Sequence, residues 1–260
     1  FPSDVSLFYN IGIVYEKLKM LDRAEKSYLQ ALDISPGEID VCYNLGLVYI
    51  DLSKYEKAIE SFKKVIEQEP EDSNCYFNLG LCYTKLGKKE EAVEFFEKTI
   101  DLNGMDVFAR FYLANHYKAL GKIDLAIKEY EKIIELSPDY SWAYFNLAAI
   151  NVEQGEIELA IKNLEKTLEL NPRDVEAYKV YSKILLKVGE VPKAQSLIES
   201  AVESNKYEAD LYYVLAQIYK IQENMENYKK ALESTIKNYK TLSFPIGIVK
   251  KELNKYKKGG

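Results

Sequence analysis

The chain has 260 residues, with 35 Lys and Arg, 41 Asp and Glu and a single His, so its net charge at neutral pH is −6. No apolar run approaches the ~20 residues of a membrane-spanning helix, and the acidic balance argues against a nucleic-acid partner. One His and three Cys argue against a His-based metal site and against acid–base catalysis at neutral pH.

The chain is organised as a repeat of 34 residues. Pro36, Pro70, Pro138 and Pro172 fall on one 34-residue lattice, and Gly104 occupies the node between them. A fixed period of this length predicts a repeat architecture. The seven repeats start at Val5, Ile39, Ser73, Val107, Ser141, Val175 and Ala209.

Each repeat predicts two helices joined by a turn. In repeat 2, Cys42, Leu45 and Tyr49 have the spacing of an apolar helix face, and a second such stripe starts at Ala58. Four repeats place a glycine in the turn, which suits the left-handed residue that ends a helix. The lattice proline then ends the second helix, because the residue before a proline disfavours helical geometry.

Several repeat positions, counted from the first residue of each repeat, have a constant character. Position 8 is always small, and position 20 is Ala in six successive repeats. Position 11 is Tyr in five repeats, and position 24 is an aromatic residue in the first four, namely Tyr28, Phe62, Phe96 and Tyr130. This pattern resembles the tetratricopeptide repeat (TPR) family over residues 5 to about 240. The pentatricopeptide family, which binds RNA, has a period one residue longer.

The resemblance implies an all-α fold, a right-handed α-solenoid of about seven helix-turn-helix units. We expect residues 1–260 to form one domain that ends in a capping helix at about 246–257, with Ile246, Val249 and Leu253 on its apolar side. The register of repeat 7 is open. Either Tyr228 replaces the usual Ala, or Tyr228–Ala231 aligns with Tyr55–Ala58 and the turn holds three extra residues.

The family resemblance also implies a concave groove lined by positions 2, 5, 6, 9, 12 and 13 of the first helices. Asparagines at position 6 of successive repeats predict a ladder that pairs with a peptide backbone, because an amide both donates and accepts hydrogen bonds. The large rings Phe108, Phe111, Trp142 and Phe145 predict an apolar contact area beside it. The predicted groove residues are Tyr9, Asn10, Tyr43, Asn44, Leu47, Phe77, Asn78, Leu81, Phe108, Phe111, Tyr112, Asn115, Trp142, Phe145, Asn146, Lys179 and Lys183.

These features predict a protein–protein interaction scaffold that is not an enzyme and needs no cofactor or metal, since no catalytic motif is present. The alternatives are a substrate-recruiting part of a larger enzyme and a self-assembling module, and weak self-association stays open. His116 and the three cysteines are interpreted as packing residues. Without a visible signal peptide we expect a cytoplasmic location, although a start at Phe1 leaves a removed signal or lipid anchor open.

Overall fold

A computed structural model of the protein describes residues 4–259, with side chains up to Lys255. Over this part the chain forms α-helices and one short 3-10 turn (Tyr239–Thr241) and no strand, which confirms the all-α prediction. None of the described helices is long and apolar enough to span a bilayer. The helices are α1 (Val5–Lys17), α2 (Leu21–Ile34), α3 (Ile39–Asp51), α4 (Tyr55–Gln68), α5 (Ser73–Lys85), α6 (Lys89–Leu102), α7 (Val107–Ala119), α8 (Ile123–Leu136), α9 (Ser141–Gln154), α10 (Ile157–Leu170), α11 (Val175–Lys187), α12 (Val191–Ser204), α13 (Ala209–Ile221), α14 (Met225–Lys237) and α15 (Ile246–Gly259).

The helices fall into two compact regions, Phe1–Ser137 and Pro138–Gly260, which we call the N-terminal and the C-terminal region. The N-terminal region contains α1–α8, which are repeats 1–4, and the C-terminal region contains repeats 5–7 and α15. In each region, both helices of a repeat pack together, and the second helix packs on the first helix of the next repeat. The expectation of one domain over residues 1–260 stays a prediction.

A small residue at position 8 lets the two helices of a repeat approach each other. A Cβ atom added to Gly46 would lie 2.7 Å from the ring of Phe62, and one added to Gly80 would lie 2.7 Å from Phe96. Both rings are fully buried, because the ring at position 24 fills the space that the missing side chain leaves. In these repeats the residues at positions 8 and 24 are therefore complementary in size.

The turn between the two helices contains a left-handed residue in all seven repeats. Glycine occupies it in four of them, with φ between 74° and 85°. Lys19, Ser53 and Glu223 adopt φ of 58° at the same position, a conformation that non-glycine residues rarely adopt. Packing of the helices on both sides therefore imposes this turn even where glycine is absent.

Repeat 7 has the regular register. α14 begins at Met225, as far from Ala209 as Tyr55 is from Ile39, and the turn residue Glu223 has the usual left-handed conformation. Tyr228 therefore occupies the position of the usual Ala and is only 5% exposed. The alternative alignment with three extra turn residues is wrong.

The capping helix α15 packs on α14 through Val249 and Leu253, which are both buried. The Glu252 carboxylate anchors it further by accepting hydrogen bonds from the hydroxyl groups of Tyr213 (3.1 Å) and Tyr228 (3.0 Å). The last repeat is thus covered by a helix whose other side carries lysines, as a solenoid end requires.

Candidate peptide-binding surface

Aromatic residues at position 5 form a row along the first helices of the N-terminal region. They are Tyr9, Tyr43, Phe77 and Phe111, and each is half-buried. Each ring packs on the ring at position 24 of its own repeat, with centroids 5.7 Å apart for Tyr43 and Phe62 and for Phe77 and Phe96. The core therefore fixes the orientation of this row.

The asparagines at position 6 connect neighbouring repeats. The Asn44 side-chain amide donates to the Tyr9 hydroxyl at 3.1 Å, and that of Asn78 donates to the Tyr43 hydroxyl at 3.3 Å. Each amide thereby commits one N–H to the preceding repeat, and Asn78 is itself buried. Sequence reasoning missed these bonds, although Tyr at position 5 followed by Asn at position 6 of the next repeat was a signal for them.

Between repeats 3 and 4 both partners of this bond are replaced together. Phe77 has no hydroxyl, and position 6 of the next repeat is Tyr112 in place of Asn. The Tyr112 ring meets Phe77 edge-on at 5.9 Å and stacks on Phe96 at 5.3 Å with an angle of 11° between the planes. Phe111 follows at 6.2 Å from Tyr112. This replacement forms a continuous patch of rings.

Phe108, at position 2 of repeat 4, lies three and four residues before Phe111 and Tyr112, which is the spacing of one helix face, and it is 62% exposed. We call Phe77, Phe108, Phe111 and Tyr112 the aromatic face. The half-buried residues Leu47 and Leu81 occupy position 9 of the two preceding repeats.

Two further predicted groove residues of the N-terminal region keep polar groups at the surface. Asn10 is exposed. Asn115 is half-buried, and its carbonyl oxygen accepts a hydrogen bond from the Tyr130 hydroxyl at 2.7 Å. The asparagines therefore differ in their contacts: Asn44, Asn78 and Asn115 bind other residues of the protein, whereas Asn10 is exposed.

In the C-terminal region, Trp142 is 49% exposed and meets Phe145 edge-on at 6.1 Å. The Asn146 amide donates to the Trp142 carbonyl oxygen at 2.8 Å, so it binds its own helix. Because Phe108 and Phe111 belong to the other region, a single cluster of all four rings stays a prediction.

The predicted lysines differ in their environment. The Lys179 ammonium lies 3.0 Å from Asp210 and 2.7 Å from Glu176, whereas Lys183 is exposed. Asp210 is buried and also accepts a hydrogen bond from the Ser243 backbone N–H at 2.9 Å. Although burial favours the protonated acid, the hydrogen bonds from Ser243 and Lys179 hold the pKa of Asp210 below its ordinary value. Lys179 therefore connects repeats 6 and 7.

His116 and the cysteines lie in the interior, which confirms their interpretation as packing residues. The His116 Nε2 atom lies 2.7 Å from the Thr84 hydroxyl, which itself donates to the Gly80 carbonyl oxygen. The imidazole must therefore donate through Nε2–H, and burial and the charge of Lys89 lower its pKa.

The cysteines are also buried. Burial raises the pKa of Cys82 to about 12, so this thiol stays protonated at neutral pH. The described residues contain no cluster of three potential metal ligands.

Comparison with protein families accounts for nearly the whole chain. Models described as "Tetratricopeptide repeat" match residues 5–38, 39–72, 73–106, 151–218 and 209–238, and one described as "TPR repeat" matches residues 114–155. No curated protein sequence matches the chain.

Several solved structures are similar to the chain. A crystal structure of MamA has 26% sequence identity and a TM-score of 0.61, and the match covers 66% of this chain and 94% of MamA. YrrB, described as a TPR protein with an unusual peptide-binding site, has 23% identity and a TM-score of 0.61, over 68% of this chain and 92% of YrrB. A tetratricopeptide repeat protein from Parabacteroides merdae matches over 97% of this chain and 98% of its own, with 18% identity and a TM-score of 0.68.

Proposed function

The chain belongs to the tetratricopeptide repeat family, and from this premise we propose that it is a non-enzymatic scaffold that binds a segment of a partner protein. The observation that carries the proposal is the aromatic face, which ends in the exposed ring of Phe108. YrrB, a similar protein, is described as having a peptide-binding site, which supports the same class of ligand.

The aromatic face favours an apolar ligand. Burying the exposed part of the Phe108 ring would contribute about 2–3 kcal/mol at ~25 cal/mol per Å². Met105, three residues before Phe108 in the chain, is exposed as well. The nearby cation Arg110 is already paired with Glu129 at 2.5 Å and donates to the Gly104 carbonyl oxygen. The partner segment therefore presents apolar side chains to this surface.

The asparagines supply the polar part of the proposed site. We expect Asn10 and the amide N–H groups of Asn115 to bind a peptide backbone, and the carbonyl oxygen of Asn44 can accept a hydrogen bond while its amide binds Tyr9. The bonds within the protein fix the Asn44 side chain before a ligand arrives, which lowers the entropic cost of binding. Affinity then comes from the rings, and the asparagines orient the backbone of the ligand.

A displayed peptide library tests the proposal. Peptides selected on the wild-type protein are titrated against Phe108→Ala and against the control Leu125→Ala, which removes an exposed apolar side chain from α8, a second helix of the same region. We expect Phe108→Ala to weaken binding by about tenfold or more and the control to leave it unchanged. Equal affinities for both variants, or no selected peptide at all, would refute the function.

A further inference from the structure

A pocket of about 200 Å³ lies between α2, α3 and α4, the helices that join the first two repeats. Its buried lining residues are Cys42, Leu45, Tyr49 and Ser61. We call it the Cys42 pocket. None of its lining residues belongs to the aromatic face, so the two surfaces can be altered separately.

The Cys42 pocket opens where two repeat positions carry small residues. Cys42 occupies position 4 of repeat 2, and Ser61 occupies position 23. In repeat 3 the same positions carry Tyr76 and Phe95, whose ring centroids lie 6.4 Å apart. In repeat 4 they carry an arginine and a glutamate that form an ion pair. Repeats 3 and 4 therefore occupy this space with their own large side chains, whereas repeat 2 leaves it open.

Repeat 3 shows which group fits such a space. Its Phe95 ring stacks on Tyr83, with centroids 5.0 Å apart and 8° between the planes, and the Lys98 ammonium lies 6.0 Å from the centroid of the other ring. The equivalents of Tyr83 and Lys98 in repeat 2 are Tyr49 and Lys64, and both line the pocket. Repeat 2 thus keeps the residues that contact the rings but not the rings themselves. An aromatic ring from outside would find the same kinds of stacking and cation–π partner.

The size of the pocket favours a single side chain as its ligand. Sites for small molecules usually have volumes of about 300–1,000 Å³. The Cys42 pocket, at about 200 Å³, is smaller. A protein segment can bury one ring in it while the rest of the segment makes contacts outside, so a partner protein suits the pocket better than a free metabolite does.

Charge at the pocket favours an acidic group beside that ring. The exposed charged residues that line it are Lys57, Lys64 and Glu60, two cations against one anion. The Lys57 ammonium lies 5.4 Å from the centroid of the Tyr49 ring, and its exposed side chain can move to admit a second ring. Burial raises the pKa of the Cys42 thiol, although the charge of Lys64 opposes this shift. The thiol is therefore neutral, and Lys64 can pair with a carboxylate of the ligand.

We propose that the Cys42 pocket is a second binding site for a partner protein, which inserts an aromatic ring flanked by an acidic residue. The ring stacks on Tyr49, and the flanking carboxylate pairs with Lys64. This site goes beyond the proposed function, because it lies among α2, α3 and α4 and uses none of the rings of the aromatic face.

A displayed peptide library tests this site when it is selected on the Phe108→Ala protein, which weakens the aromatic face. We expect the enriched peptides to carry Phe, Tyr or Trp next to Asp or Glu. Adding Cys42→Tyr/Ser61→Phe fills the pocket with the pair that repeat 3 accommodates, and it should weaken binding by about tenfold or more. Cys42→Ala/Ser61→Ala is the matched control, since it changes the same positions, leaves the pocket open and should keep the affinity. Circular dichroism checks that each variant keeps its helices.

A change at the surface tests the charge without touching the interior. Lys64→Glu should weaken the selected peptides by about three- to fivefold, and it decides the question if the filled variant does not fold. Lys63→Glu is its control, because this exposed neighbour on α4 does not line the pocket.

Three results would overturn the proposal: no enriched peptide, enriched peptides without an aromatic residue, or equal affinities for the filled and the alanine variants. Equal affinities for Lys64→Glu and Lys63→Glu would overturn the charged part of it. The proposed peptide site is tested apart from this one, because peptides selected on the wild type report on Phe108 and do not depend on the Cys42 pocket.

Discussion

The N-terminal and C-terminal regions follow one 34-residue lattice but differ in the contacts that position 5 makes with another repeat or with α15, which we call joints. In the N-terminal region these joints are neutral, as in the bond from Asn78 to Tyr43, although ion pairs at other positions, such as Lys54–Glu25, also connect its repeats. In the C-terminal region they involve charges, as in the pairs Lys179–Asp210 and Tyr213–Glu252. In all three cases the residue at position 5 contacts the next helix but one, which is α5, α13 or α15. The repeat position that makes the contact is therefore the same in both regions. The residue types on the two helices decide whether the contact is neutral or charged.

The interior of the repeats shows the same kind of exchange. In the first three repeats glycine at position 8 meets Tyr or Phe at position 24. In repeats 5–7 position 8 is Ala or Ser, and position 24 is the smaller Leu164, Ile198 or Leu232, which are all fully buried. In these six repeats a larger residue at position 8 accompanies a smaller one at position 24, whereas repeat 4 combines Ala114 with Tyr130.

The two regions consequently present different surfaces. The rings that remain after core packing form the aromatic face of the N-terminal region. On α11 in the C-terminal region, positions 5, 9 and 13 carry Lys179, Lys183 and Lys187, and the last two are exposed. An apolar segment is thus suited to the first surface, and acidic groups to the second.

Breaking a charged joint should have the largest effect. Asp210→Ala removes the buried carboxylate that binds both Lys179 and the Ser243 backbone. Breaking a buried ion pair costs about 3–5 kcal/mol, but Lys179 is partly exposed and keeps Glu176, so we expect a loss of about 2 kcal/mol in the free energy of unfolding. Urea denaturation followed by circular dichroism measures it.

The pH dependence separates this joint from general damage. The pKa of Asp210 is lower in the folded than in the unfolded state, so its contribution is complete above an unfolded pKa of about 3.9 and is lost as the pH falls through the folded pKa. The wild type and Asp210→Ala should therefore converge in stability in acid. Asp210→Asn keeps an acceptor for Ser243 and should lose less. A difference that persists unchanged in acid would contradict the charged joint.

Exchanging the interior pairs between the regions should have a smaller effect. Gly80→Ala places a Cβ atom 2.7 Å from the ring of Phe96, and we expect a net loss of about 1–2 kcal/mol, since overpacking exceeds the gain in helix propensity. Ser182→Ala installs the same residue at the same position of the C-terminal region. There we expect a change of less than about 0.5 kcal/mol.

A double mutant completes this test. Gly80→Ala/Phe96→Leu reproduces the Ala148 and Leu164 pair of repeat 5, so it should be more stable than the sum of its two single variants predicts. Additive effects, or a Gly80→Ala protein that gains the ~1 kcal/mol of helix propensity, would show that the pair does not act as a unit.

The helices and their pairing could be predicted from the sequence because they depend on local periodicity. Small and large residues recur on one face of each helix, and this pattern places the start of each repeat. The register of repeat 7 could not be predicted, because Tyr228 and Ala231 both fit the interior position by composition. The observed register buries Tyr228 and lets its hydroxyl bind Glu252, a contact with a helix that lies outside the repeat pattern.

The candidate site was only partly predictable for a related reason. Position in the lattice shows that Asn44 and Asn78 lie on the first helices, but not that their amides bind Tyr9 and Tyr43 of the preceding repeats. The same holds for Lys179, whose lattice position is that of a groove residue although its charge is paired with Asp210. Whether a polar group faces a ligand or a neighbour depends on contacts between repeats, which periodicity does not contain.

The smallest expected effect belongs to the neutral joint. Tyr43→Phe removes the hydroxyl that accepts from Asn78 and keeps the ring that packs on Phe62. Because Asn78 is buried, its amide loses a partner that water replaces only in part, and we expect a loss of about 1 kcal/mol in the free energy of unfolding. Phe77→Tyr is the matched control, since position 6 of the next repeat is Tyr112 and not Asn, and the added hydroxyl should not raise the free energy of unfolding.

Salt distinguishes this neutral joint from the charged one. Raising the salt concentration should leave the effect of Tyr43→Phe unchanged and reduce that of Asp210→Ala, because screening acts on the partly exposed Lys179 charge and not on a neutral hydrogen bond. If both effects responded to salt alike, the division into neutral and charged joints would be wrong.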